Sequence, residues 1–120
     1  NTNQHNKSGL VERINNSSYT YNDAQQMTIE FLTKYIDKNK SPMCGSGICQ
    51  DRRFLARCMP VLEDFFHYRN LDVSTIKELV NRWYPDKKFK KDPQHIALED
   101  IKDSIEELKH YRRAIFLDTA

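Results

Sequence analysis

His95 stands in the stretch DPQHIALEDIKD, residues 92–103, and is followed by three acids, Glu99, Asp100 and Asp103. A histidine beside carboxylates is the combination used for general acid–base work and for holding hard divalent cations, provided that the groups face one another. The apolar residues Ala97, Ile101, Ile105, Leu108, Tyr111 and Ile115 recur at helical spacing and define a stripe against which the acids can be placed. With about 100° between successive residues, Asp100 falls roughly 70° from the centre of that stripe, at the edge of the buried face. Glu99 and Asp103 point well round into solvent. His95 is about 140° from Asp100 on a continuous helix, so the two converge only where His95 sits on the loop or first bent turn before it. Pro93 is consistent with such a boundary. The alternative is a surface histidine and a first-turn acid favoured by the helix dipole.

A further acid, Asp51, precedes Phe54, Leu55 and Cys58 at helical spacing, which sets it on the apolar stripe of its own helix while Arg52, Arg53 and Arg57 face elsewhere. It follows an extended segment and a glycine turn, SPMCGSG. On spacing alone it is either the helix N-cap or a carboxylate presented beside a metal. Cys44, Cys49 and Cys58 are an odd number without a secretory signal, which predicts reduced thiols; with His67 they match no standard zinc spacing.

The elements that must position these groups follow from the periodicity. A helix is predicted from Ala24 through Met27, Phe31, Leu32, Tyr35 and Ile36, after the capping-type residues Ser17, Ser18 and Thr20, and ending in the polar run Asp37 to Lys40. Residues 41–45 read as extended, because Pro42 biases its predecessor away from helix. A helix carrying Phe54, Leu55 and Cys58 is broken by Pro60, and Val61, Leu62, Phe65 and Phe66 begin a shorter one. Residues 68–73 read as a strand, and Thr75 with Glu78 as the capping box of a helix that Pro85 stops. A basic loop over 86–94 leads to the last helix. Two strands make a poor independent sheet, so part of the core-building chain is expected to be missing.

With 120 residues the ceiling is one domain, and 30% charged residues with a net charge of +2 describe an ordinary folded protein that does not announce nucleic acid. No apolar run approaches the roughly 20 residues of a membrane span, which predicts a soluble, cytoplasmic protein. The polar start NTNQHNKSGL, without an initiator Met, reads as an excised piece.

CGSGICQDRRFL, FHYRNLDVSTIKELVNRWYP and HIALEDIKDSIEEL, with SGLVERI near the start, resemble the oligoribonuclease family, the DEDD-type 3′→5′ exonucleases with a catalytic histidine. The resemblance covers nearly the whole chain. It implies an α/β, ribonuclease H-like exonuclease fold, a mixed sheet flanked by helices, of which residues 1–120 are a single, N-terminally incomplete and mostly helical C-terminal portion. It implies Asp51 and Asp100 as the third and fourth acids of a two-ion Mg²⁺ or Mn²⁺ site, and His95 as the general base. The substrate class would be very short RNA, cut to 5′-mononucleotides by a homodimer.

Tyr68, Arg69, Ser74 and Thr75 match positions that close around the 5′ phosphate, the tyrosine across a dimer, and His5 matches a residue near the 3′ nucleotide. The plain alternatives are an interface aromatic for Tyr68, a surface charge for Arg69, helix caps for Ser74 and Thr75, and a tail residue for His5. Lys87, Lys88, Lys90 and Lys91 are either an RNA-attracting patch or a solvated loop. Two departures stand out. Where the family reads C-G-N-S, Ser46 stands at the asparagine position and Gly47 at the serine position, leaving Ser46 to substitute from one place earlier. The family's D-x-E strand, which carries the first two acids, has no counterpart here. A non-catalytic RNA-binding or helical interaction domain that keeps the scaffold is the reading from another class.

Overall fold

A computed structural model describes residues 9–91 and 96–117. Their elements run α1 (Leu10–Asn16), α2 (Tyr21–Thr33), β1 (Met43–Gly45), α3 (Ile48–Cys58), α4 (Pro60–Phe65), β2 (Asn70–Asp72), α5 (Val73–Trp83), a 3-10 turn (Pro85–Lys87) and α6 (Ala97–Ala114). The chain falls into two compact units, Ser18–Asp72 and the combination of Asn1–Ser17 with Val73–Ala120.

In the Ser18–Asp72 unit, α2 starts where its capping chemistry dictates. Thr20 Oγ1 accepts the Asp23 N–H at 3.1 Å, and Asp23 Oδ2 accepts the Thr20 N–H at 3.0 Å, so two otherwise unpaired first-turn donors are satisfied reciprocally. The helix stops at Thr33, earlier than its apolar spacing predicts. The N–H groups of Tyr35 and Ile36 both turn back to the Leu32 carbonyl, each at 2.9 Å. β1 and β2 pair in parallel, Met43 beside Asn70 and Gly45 beside Asp72. A parallel pair needs a crossover, and α3 and α4 supply it. Pro60 opens α4, where its missing N–H would have no partner in any case. α4 is tied to α2 by Gln25 Oε1, which accepts the Leu62 N–H at 3.0 Å. Met43, Ile48, Leu62 and Phe65 are the buried apolar residues of this unit.

In the second unit, Val73, Val80 and Tyr111 are buried against Ile76, Phe89, Leu108 and Ile115. The capping box predicted for Thr75 and Glu78 does not form. The helix already begins at Val73, so Thr75 is its third residue, and the Glu78 carboxylate goes to Arg82 one turn later.

α6 inverts part of its predicted stripe. Its fully buried residues are Glu107 and Tyr111, with Asp100, Asp103 and Ser104 half-buried on the same side. Ile101 and Ile105 are 57% and 50% exposed. Asp103 therefore does not face solvent as predicted. The reason lies in Glu107, 2% exposed, whose Oε2 accepts the Tyr111 hydroxyl at 2.5 Å and whose Oε1 pairs with Lys91 Nζ at 2.9 Å. A carboxylate satisfied on both oxygens can be buried, and it takes its side of the helix inward with it.

Candidate active site

The stretch from β1 into α3 is built on two glycines. At Gly45 an added Cβ would lie 2.9 Å from Ile48 Cδ1, so a larger residue there requires the end of the Ile48 side chain to move. Gly47 is the N-cap of α3 with φ 69°, the left-handed region that L side chains avoid. Its N–H donates to Asp72 Oδ1 at 2.9 Å, which ties the C-terminal end of β1 to that of β2. In open parallel sheets the C-terminal strand ends are where ligands are bound. Ser46, half-buried, sits in this turn.

Asp51 is the fourth residue of α3, exposed, in a first turn whose dipole favours a negative charge. Gly47 holds the cap position, so the N-cap reading of Asp51 falls away. Asp51 also does not ride the buried stripe. Arg52 does, with its side chain only 12% exposed, although the apolar spacing sets it outward. The guanidinium is drawn in by acceptors. Nε donates to Asn70 Oδ1 at 2.5 Å, Nη1 to Glu63 Oε1 at 2.9 Å, and Nη2 to the carbonyls of His67 and, at 3.3 Å, Arg69.

Between those two carbonyls stands Tyr68, 76% exposed. Its ring stacks on His67 at 4.3 Å between centroids, and Arg69 Cζ lies 5.5 Å from its centre. The Arg69 N–H donates to His67 Nδ1 at 3.1 Å, which leaves the histidine proton on Nε2. The predicted strand over 68–73 is shortened to Asn70–Asp72, with Val73 taken into α5. Beside Tyr68 opens a cleft of about 280 Å³, lined by Asn39, Arg52, Glu63 and His67 among others.

The other unit carries Ser74, half-buried, and Thr75, exposed, as the second and third residues of α5, and Asp100, half-buried, as the fourth residue of α6. His95 and His5 lie outside the described residues. Of the basic loop, Lys87, Lys88 and Lys90 are exposed, whereas Lys91 is taken by Glu107 and withdrawn from any RNA-attracting patch.

Among the described residues no group of three or more histidine, cysteine or acidic side chains is assembled for a metal. Cys44, Cys49 and Cys58 are free thiols and do not make a zinc cluster with His67. Asp51 and Asp100 offer the hard oxygens that Mg²⁺ and Mn²⁺ prefer, but two carboxylates are only part of the roughly six ligands such an ion takes.

The exonuclease family profile matches residues 1–108. The chain belongs to the exonuclease family. Within the exonuclease family it is similar to oligoribonucleases. It is 58% identical over 118 residues to that of Dichelobacter nodosus, covering 98% of this chain and 66% of the relative. It is 59% identical over 115 residues to that of Legionella pneumophila strain Corby, covering 94% of the chain and 62% of the relative. The oligoribonuclease of Acinetobacter baylyi is 54% identical over 119 residues, 98% of this chain and 65% of its own length. The chain thus spans just under two thirds of these relatives. The resemblance read from the sequence blocks is borne out, and with it the ribonuclease H-like exonuclease fold, of which the described residues form a mostly helical part with a two-stranded parallel sheet. No described helix is long and apolar enough to cross a membrane.

What the apolar spacing missed is Arg52 and Asp72, the two polar anchors that hold the site's turn and loop. The signal for Asp72 was weak, a short acidic side chain next to the end of a predicted strand.

Proposed function

We propose that this chain is the C-terminal part of a single-domain cytoplasmic 3′→5′ exoribonuclease that degrades very short RNA to 5′-mononucleotides as a homodimer. The observation that carries the reading is the exonuclease match over residues 1–108, with Asp51 held out in the first turn of α3 at a strand end. Asp51 and Asp100 would hold Mg²⁺ or Mn²⁺, with the remaining carboxylates supplied by a D-x-E segment outside this chain. The ions, when bound, supply an activated water and charge stabilisation at the leaving oxygen. His95 takes a proton from the attacking water, a task suited to an imidazole, which titrates near neutral pH.

At the other end of the substrate, the exposed Tyr68, reaching across the dimer, and Arg69 close around the 5′ phosphate. Ser46, Ser74 and Thr75 offer hydroxyls to that phosphate, and His5 meets the 3′ nucleotide. Short RNA is selected because both ends must be engaged at once.

The complete protein is expected to hydrolyse a 5′-phosphorylated diribonucleotide with Mg²⁺ and to stop in chelator, while residues 1–120 alone turn over none. Hydrolysis by the 120-residue chain would overturn the shared metal site. Binding of the dinucleotide by the complete protein without hydrolysis would favour a non-catalytic RNA-binding domain.

A further inference from the structure

We infer that Arg52 is the positioning residue for the substrate's 5′ end: its guanidinium clamps the backbone on both sides of Tyr68 and so fixes where Tyr68 and Arg69 project. The inference rests on the reading of Tyr68 and Arg69 as substrate contacts, and it assigns Arg52 no contact with RNA.

Four observations converge. Arg52 is nearly buried on the face of α3 from which its spacing should have excluded it. Its three nitrogens are spent on acceptors from two places only, Glu63 of α4 and the segment from His67 to Asn70. The two carbonyls it engages, those of His67 and Arg69, flank Tyr68, whose own side chain is left in solvent. The segment has few other anchors beyond its strand pairing, chiefly the His67 N–H to the Ser41 carbonyl at 2.8 Å and the Met43 N–H to the Arg69 carbonyl at 3.2 Å. The planar fork is what makes the arrangement possible. A lysine at this place keeps the charge beside Glu63 but cannot bridge a side-chain amide and two carbonyls at once. Glu63 neutralises the guanidinium, so Arg52 is matched within the fold and is not a free phosphate site.

The test uses the complete protein and a 5′-phosphorylated diribonucleotide. Arg52→Lys is expected to raise KM about tenfold with kcat within about threefold, since misplacing a binding group costs affinity before chemistry. In a Tyr68→Ala background the same change is expected to add a smaller factor, about threefold, because only the share that acts through Arg69 remains. An unchanged KM in a folded Arg52→Lys protein overturns the inference, and so does an equal effect in both backgrounds, which would make Arg52 a general brace for the fold or for the neighbouring Asp51. A Tyr68→Ala protein with normal KM instead overturns the underlying reading of Tyr68. Where Arg52 variants do not fold, Asn70→Ala removes one of the clamp's partners and leaves the arginine in place. It is expected to raise KM in the same direction by a smaller factor, and an unaltered KM in that variant also refutes the clamp.

Discussion

At the scale of single residues, Asp51 and Arg52 are neighbours with opposite fates. Asp51 is exposed and needs nothing from the fold, whereas Arg52 is nearly buried and is held by four acceptors. Their substitutions should therefore separate activity from stability. Asp51→Asn is nearly isosteric and removes only the charge that a divalent ion requires. In the complete protein it is expected to lower kcat by at least about 100-fold, the size seen when a charge-stabilising group is lost from an active site. The midpoint of thermal unfolding should move by only a few degrees, since the exposed first-turn charge contributes about 0.3–1 kcal/mol to the helix. His95→Ala should likewise depress kcat with little change in KM, because a general base acts in the transition state and not in binding. A His95→Ala enzyme with full turnover would remove the base assignment. The sequence marked Asp51 and Asp100 as acids near helix starts, but its spacing set Asp51 on the buried stripe, where the structure puts Arg52 instead. It could not show Arg52. Spacing scores an arginine as outward, and only the folded chain brings its acceptors from residues 11 to 18 positions away.

At the scale of elements, helix starts were legible where the chemistry is local and misread where it is not. Thr20 and Asp23 form their reciprocal cap within four residues, and α2 begins there. Thr75 and Glu78 have the same pattern, yet β2 runs straight into α5 and the helix starts at Val73, three residues before the Ile76 that a Thr75 cap would make first. A capping box is a local device, and strand pairing with β1 decides the entry instead. Thr20→Ala is thus expected to destabilise the chain by about 1 kcal/mol in denaturant unfolding, while Thr75→Ala should cost far less. The turn between β1 and α3 makes a contrasting prediction. Gly47 stands where the resemblance sets a serine, and its φ of 69° strains any side chain, although a Cβ there meets nothing within 4 Å. Gly47→Ser is expected to cost about 1–2 kcal/mol of stability through the backbone alone. If the serine regains a phosphate contact, KM for the 5′-phosphorylated substrate should fall at the same time. A loss of stability with an unchanged KM would leave Ser46 as the hydroxyl of this turn.

At the scale of the whole molecule, the sequence signalled that helices outnumber strands, and the described residues agree, with six α-helices to one two-stranded sheet. Phe31, Trp83 and Ile101 are each more than half exposed. The buried charge within the second unit was not legible, because an apolar-period reading places Glu107 in solvent. That charge makes stability depend on pH on the alkaline side. Burial first, then the hydrogen bond to Glu107 and its negative charge, push the Tyr111 hydroxyl well above its ordinary value of 10.0. The sign follows from which state holds the proton. Below pH 10 the tyrosine is protonated in both folded and unfolded chains and adds no pH dependence. Above it the unfolded chain loses the proton and the folded chain keeps it, so stability falls as pH rises. The slope approaches about 1.4 kcal/mol per pH unit for one retained proton. Urea unfolding at steps from pH 8 to pH 11 should show this decline, and Tyr111→Phe should flatten it. The same substitution leaves one oxygen of a buried carboxylate without its donor, at a cost of about 1–3 kcal/mol. The variant is therefore expected to be less stable than the parent at pH 8, with the gap narrowed by about 1.4 kcal/mol at pH 11. Two parallel curves would show that Tyr111 keeps no proton that the unfolded chain gives up.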